Sequence, residues 1–158
     1  MRFLLAAVIL LSPVGTLAAP GTGSVGVGLM LGEPAGFSFK LFVDGHHAFD
    51  AGLSFSLLDN AFHAHADYLL HFPGKIPGLT KLKGGQWIPY AGMGGKLRFL
   101  DRKHTDARNG LSARIPVGIA FHPKGVSLDF FLELVPGMKV LPETDPEFGG
   151  ALGGRFYF

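Results

Sequence analysis

From Ser24 to Phe158 apolar residues return at every second position in one segment after another, and small or polar residues fill the places between them. That period is the one by which strand side chains alternate faces, so the chain predicts strands and not helices. The first segment sets Val25, Val27, Leu29 and Leu31 against Ser24, Gly26, Gly28 and Met30, and the second sets Phe37, Phe39, Leu41 and Val43 against Ser38 and Lys40. The third carries Phe49, Ala51, Leu53, Phe55 and Leu57 opposite Asp50, Gly52, Ser54 and Ser56; the fourth carries Phe62, Ala64, Ala66, Tyr68, Leu70 and Phe72 opposite His63, His65, Asp67 and His71. The fifth runs through Trp87, Pro89, Ala91, Met93, Gly95, Leu97 and Phe99, with Tyr90, Gly92, Gly94, Lys96 and Arg98 on its other face. A sixth, Leu111 to Phe121, places Ser112, Arg114, Pro116 and Gly118 opposite its apolar set, and a seventh sets Val126 through Leu134 against Ser127, Asp129, Phe131 and Glu133. The eighth is Phe148 to Phe158, long enough to cross a bilayer when tilted.

Turn residues punctuate these segments: Glu33 to Gly36, Asp44-Gly45, Asp59-Asn60, His122 to Gly125, and Leu141 to Glu147. Pro73 to Gly85 and the charged stretch 101–109 are read as longer loops. Eight alternating segments with short connections predict an all-β fold, an eight-stranded antiparallel up-and-down transmembrane β-barrel.

Composition narrows the class. The 158 residues allow one domain, only 16% are charged, and no internal apolar run reaches the roughly 18 residues of a membrane helix. A net charge of +2 without a basic cluster interleaved with aromatics argues against nucleic acid as a partner. The absence of cysteine excludes disulfides, thiolate metal sites, a cysteine nucleophile and a lipid-bearing cysteine. At the N-terminus Met1-Arg2, the apolar Phe3 to Leu11 and the small Thr16 and Ala18 predict a Sec signal peptide over 1–18, leaving 19–158 as the barrel domain.

Every ionisable group inside the predicted strands falls opposite the apolar stripe: Lys40, Asp50, Asp67, Lys96, Arg98, Arg114, Asp129, Glu133 and Arg155. A soluble barrel would put the stripe inside, yet about a dozen aromatic side chains overfill an eight-stranded lumen. The stripe is therefore expected to face lipid and the charges the lumen, where five cations and four anions should pair across a narrow space. The aromatics also sort by depth: Phe72, Trp87, Phe121 and Phe158 toward one rim, and Phe37, Phe55, Phe62, Phe99 and Phe148 toward the other, as membrane-interface girdles do.

Leu31-Gly-Glu-Pro-Ala-Gly36, His63-Ala-His-Ala-Asp-Tyr68, Tyr90 through Arg98, Arg114-Ile-Pro-Val-Gly118, Leu128 through Pro136 and Gly153-Gly-Arg-Phe-Tyr-Phe158 carry a resemblance. They look like a family of small uncharacterised bacterial outer-membrane β-barrel proteins and, more distantly, like the OmpA transmembrane domain. The resemblance implies residence in the bacterial outer membrane, contact with its lipid and insertion by the barrel-assembly machinery. Leu152, Phe156 and Phe158 would be its assembly signal. Its motifs are structural and imply no reaction, and Pro73 to Gly85 is longer than the family's usual connection.

The candidate chemistry is thin. His63 and His65 lie about 7 Å apart on one strand face with Asp67 next in line, but no third ligand is set by sequence; together with His71 they are expected to be hydrogen-bonded lumen histidines, with no metal and no cofactor. A lipid-modifying enzyme would need a nucleophile reachable from lipid, whereas Ser54, Ser56, His63, His65 and Glu133 all fall on the lumen face. The expected function is structural or interactive, with the lumen plugged by its charges and no catalysis. The alternatives are a narrow pore for ions or small solutes and, behind it, a lipid-modifying enzyme.

Overall fold

The computed structural model describes residues 22–33, 35–56, 61–80, 83–100 and 109–158. The expected signal peptide, the Asp59-Asn60 turn and loop residues 101–108 lie outside them. The strands are β1 Val25–Glu33, β2 Ala35–Phe42, β3 His47–Ser56, β4 Ala61–His71, β5 Gly85–Leu100, β6 Gly110–Arg114, β7 Val117–Pro123, β8 Leu128–Leu141 and β9 Asp145–Tyr157. All pair antiparallel in one sheet, and β1 pairs with β9 from Gly26↔Tyr157 to Glu33↔Gly150, which closes the sheet into a ring.

Nine strands make eight staves. β6 and β7 both lie between β5 and β8, one above the other. The expected continuous sixth strand is interrupted at Ile115-Pro116 because proline has no N–H to give to the ladder. The register does not slip across the break, with Gly94↔Arg114 on one side and Ala91↔Val117 on the other. Neighbouring groups keep the seam bonded: Gly92 N–H donates to the Pro116 carbonyl at 2.8 Å, and Ile115 N–H to that of Pro136 at 2.9 Å.

Two other expectations are corrected. The turn expected over Leu141 to Glu147 shrinks to 142–144, because β8 runs on through Pro136-Gly137 and β9 begins at Asp145. Within the stretch Pro73 to Gly85, expected as plain loop, a single helical turn α1 forms at Pro77–Thr80.

The barrel has a terminal end, where β1 begins and β9 stops, and a loop end carrying the β1–β2, β3–β4, β5–β6 and β8–β9 connections. Phe72, Trp87, Phe121 and Phe158 lie toward the terminal end; Phe37, Phe55, Phe62, Phe99 and Phe148 lie toward the loop end. Trp87 and Phe121 stack at 4.6 Å between centroids. The outer surface is apolar throughout, with Leu29, Leu53, Met93, Phe130, Leu132, Leu152 and Phe156 all exposed, while Lys40, Asp50, Asp67, Asp129, Glu133 and Arg155 are buried inside. No helix among the described residues is long and apolar enough to cross a membrane.

Candidate functional site: the barrel lumen

The interior is organised around Arg155 of β9, which is only 1% exposed. Its Nη2 donates to Asp50 Oδ1 at 2.7 Å, its Nη1 to Asp129 Oδ2 at 3.4 Å, and its Nε to Ser38 Oγ at 2.8 Å. Asp129 is its cross-strand neighbour, but Ser38 is two strands away, and the guanidinium reaches it by passing over Gly28, which separates them in the row. The Phe131 ring lies against the same guanidinium, 3.8 Å from centroid to Cζ. Tyr157 donates its hydroxyl proton to Asp129 Oδ2 at 2.8 Å. Lys40 stands opposite Asp50 across the β2–β3 ladder, 4.7 Å from the centre of the Tyr90 ring and 3.4 Å from His71 Nε2.

Arg114 anchors a second group. Its Nε lies 3.2 Å from Asp67 Oδ2 and its Nη2 3.2 Å from Glu133 Oε1, while Tyr90 donates to Glu133 Oε2 at 3.0 Å. Glu133 thus pairs with Arg114, while Arg155 is shared by Asp50 and Asp129. Asp50 and Asp67 face each other directly across β3–β4, a like-charge pair that would destabilise the ladder if each did not have its own arginine.

The three histidines of β4 occupy three different levels of the lumen. His65 Nε2 is 3.7 Å from Asp50 Oδ2, and Asp50, His65 and Asp67 bring one donor atom each to within 4.8 Å of one another. His63 is not in that group; it lies one row nearer the loop end, opposite Ser54 and Arg98. Three donors could in principle hold a metal, but both carboxylates are already engaged by arginines whose charge opposes a cation. His71 lies nearer the terminal end, in contact with Lys40 and among aromatic rings.

Toward the terminal end rings fill the lumen. Phe42 lies 4.9 Å from His71 and 5.8 Å from Tyr157, His71 lies 5.2 Å from Tyr90, and His122 lies 6.2 Å from Tyr157. Inward glycines make this possible. A Cβ on Gly118 would stand 2.5 Å from the Tyr90 ring, and one on Gly153 would stand 2.5 Å from the Phe131 ring. Glycine in the lumen therefore admits rings as well as the long cationic chains.

Toward the loop end the lumen opens into a cavity of about 330 Å³, with Asp50, Glu133 and Arg155 at its floor and its lining reaching Ser56, Lys139 and Pro146 beside the turns. Lys96 pairs here with Glu147. Arg98 takes its place in the inward row beside His63 and is half-buried. Glu147, Lys139 and His122 were not placed on the lumen face from the sequence, whereas Tyr90 and Ser112 were. Lys139 and Glu147 keep the odd-numbered phase of Glu133 and Arg155, but they lie in the parts of β8 and β9 that the sequence pattern predicts as a connection.

A closed eight-stave barrel, apolar outside and ion-paired inside, is the class that fold and lumen define. No protein-family model matches the chain, and no curated protein does. Among solved structures it is similar to the N-terminal β-barrel domain of Pseudomonas aeruginosa OprF, with a TM-score of 0.65 at 16% identity over 88% of this chain and 100% of that one. That likeness is one of fold.

Proposed function

We propose that the protein is an integral barrel of the bacterial outer membrane whose lumen does not conduct, and that it acts as a structural or interaction element of the cell envelope. The observation that carries this reading is the inversion of polarity: large apolar side chains cover the outside while, among the described residues, thirteen polar or charged ones are buried. A monomer in water rarely exposes an apolar patch beyond a few hundred Å², whereas a lipid-facing barrel requires one. Export by the Sec pathway and insertion by the barrel-assembly machinery belong to the same proposal. So does the absence of catalysis, because Ser54, Ser56, His63, His65 and Glu133 turn inward, away from any lipid substrate.

Two measurements test it. Refolded protein, unboiled, should migrate differently from boiled protein on a denaturing gel and fractionate with outer membranes; recovery as a soluble periplasmic protein would overturn the reading. In planar bilayers the refolded protein should show no stable channel steps, and regular steps would favour the pore. Leu132→Arg on the outer face should cost about 2–4 kcal/mol near the bilayer midplane.

A further inference from the structure

We propose that the loop-end half of the lumen is a binding site for a small organic anion, one bearing a phosphate or carboxylate on a compact apolar group. The inference rests on the geometry of the lumen and not on where the barrel resides. Cross-strand register aligns His65, Lys96, Ser112 and Lys139 in one row across β4, β5, β6 and β8. The next row toward the loop end begins Ser54, His63, Arg98. All but Arg98 line the cavity. Lysines, imidazoles and hydroxyls on one wall are what a phosphate or carboxylate requires.

The wall already holds a carboxylate. Glu147 reaches in from β9 to pair with Lys96, with the Ser112 hydroxyl and the Lys139 ammonium beside it. Two lysines thus share one carboxylate, which leaves positive charge to spare; Asp145, the cross-strand neighbour of Lys139, is exposed and outside the cavity lining. Ser54 adds an independent sign. The residue lines the cavity and is 2% exposed, and its hydroxyl is buried with no hydrogen-bond partner among the described residues. Leaving a buried hydroxyl unpaired is unfavourable, and a small rotation of the side chain would give it a bound oxyanion as partner.

The facing wall sets the rest of the ligand. Met30, Phe131 and Val135 present apolar surface to the same cavity. A volume of about 330 Å³ lies at the small end of ligand pockets, which excludes a folded peptide or a lipid. The ion-paired floor makes the cavity a dead end, suited to holding a solute and not to passing one.

Phenyl phosphate is the probe, titrated into refolded full-length protein and followed by the backbone amide shifts of Ser54 and Ser112. Saturable shifts are expected, weakened at least tenfold for inorganic phosphate and for phenol, which each lack one half of the ligand. Lys139→Met should weaken binding about tenfold, the scale of one charge-assisted hydrogen bond, and Lys96→Met with Lys139→Met further. Lys124→Met, in the turn at the opposite end, should leave it unchanged. Should the double variant fail to refold, Lys139→Met alone decides. Absence of saturable shifts, equal binding by wild type and Lys139→Met, or equal binding of phenyl and inorganic phosphate would each overturn the proposal.

Discussion

The two halves of the lumen are built from the same alternating strands, yet one is filled and the other is hollow. In the terminal half Tyr90, Tyr157 and Phe131 lie over glycines, Phe42 and His71 pack against those tyrosines, and Lys40 and Arg155 are stretched across the remaining space. In the loop half the inward positions are serines, histidines and half-buried lysines, and a cavity is left between them. Closure of a narrow barrel therefore depends less on its strand number than on whether inward glycines are matched by rings. The filled half should be costly to disturb and the hollow half tolerant.

The largest test of that contrast is Arg155→Met against Lys139→Met. Removing Arg155 leaves Asp50 and Asp129 buried without their cation and should lower unfolding free energy by about 3–5 kcal/mol, read from urea titration of refolded protein. Lys139→Met should change it by less than about 0.5 kcal/mol. Comparable losses would erase the distinction between the halves.

A pair of glycines on the same strand gives the next test. Gly153→Ala must displace the Phe131 ring or the Leu29 carbonyl, which a new Cβ would approach to 2.5 and 2.4 Å, and should cost about 1–3 kcal/mol. Gly149→Ala, whose Cβ would meet nothing nearer than 3.9 Å, should be close to neutral. Thermal unfolding of the two variants compares them directly.

At the boundary between the halves Arg114 and Glu133 are expected to act as a unit. A double-mutant cycle with Arg114→Met and Glu133→Gln should show coupling of about 0.5–3 kcal/mol, larger than the same cycle run with Arg155→Met. Equal coupling in both cycles would mean that the two arginine groups form one undivided network.

The smallest effect lies outside the barrel wall. In the β2–β3 turn the N–H groups of His46 and His47 donate to Asp44 Oδ1 at 2.7 and 2.8 Å and hold its carboxyl below the usual carboxylate range. A carboxyl with a depressed folded-state pKa stabilises fully above its unfolded value, near about 4, and loses that contribution as pH falls through the lower folded value. Acidification below about pH 4 should thus shift the His46 and His47 amide resonances, and Asp44→Ala should remove that step.

Much of this architecture was legible because strand alternation writes both faces into the sequence. The outward set and the inward charges fall where period two puts them, Phe37, Leu53 and Leu132 outside and Lys40, Asp50 and Arg155 inside. Pro136-Gly137 hid the rest of β8, since that dipeptide reads as a turn, and with it Lys139 and the cavity wall. Which arginine meets which carboxylate was not legible at all. That depends on the stagger of the closed ring, and alternation carries no trace of stagger.

Ring closure links these charges to the route by which the chain folds. Every pairing but one joins strands that are neighbours in the sequence, allowing for the divided stave, and these can form as successive hairpins at small loop-closure cost. The exception is the seam between β1 and β9, and Arg155 on β9 finds Ser38 and Asp50 only when that seam is shut. Zipping the last pair of strands and neutralising the interior are consequently one event. A half-zipped intermediate would keep water around its unpaired carboxylates, so closing the barrel and drying its filled half should occur as a single cooperative step.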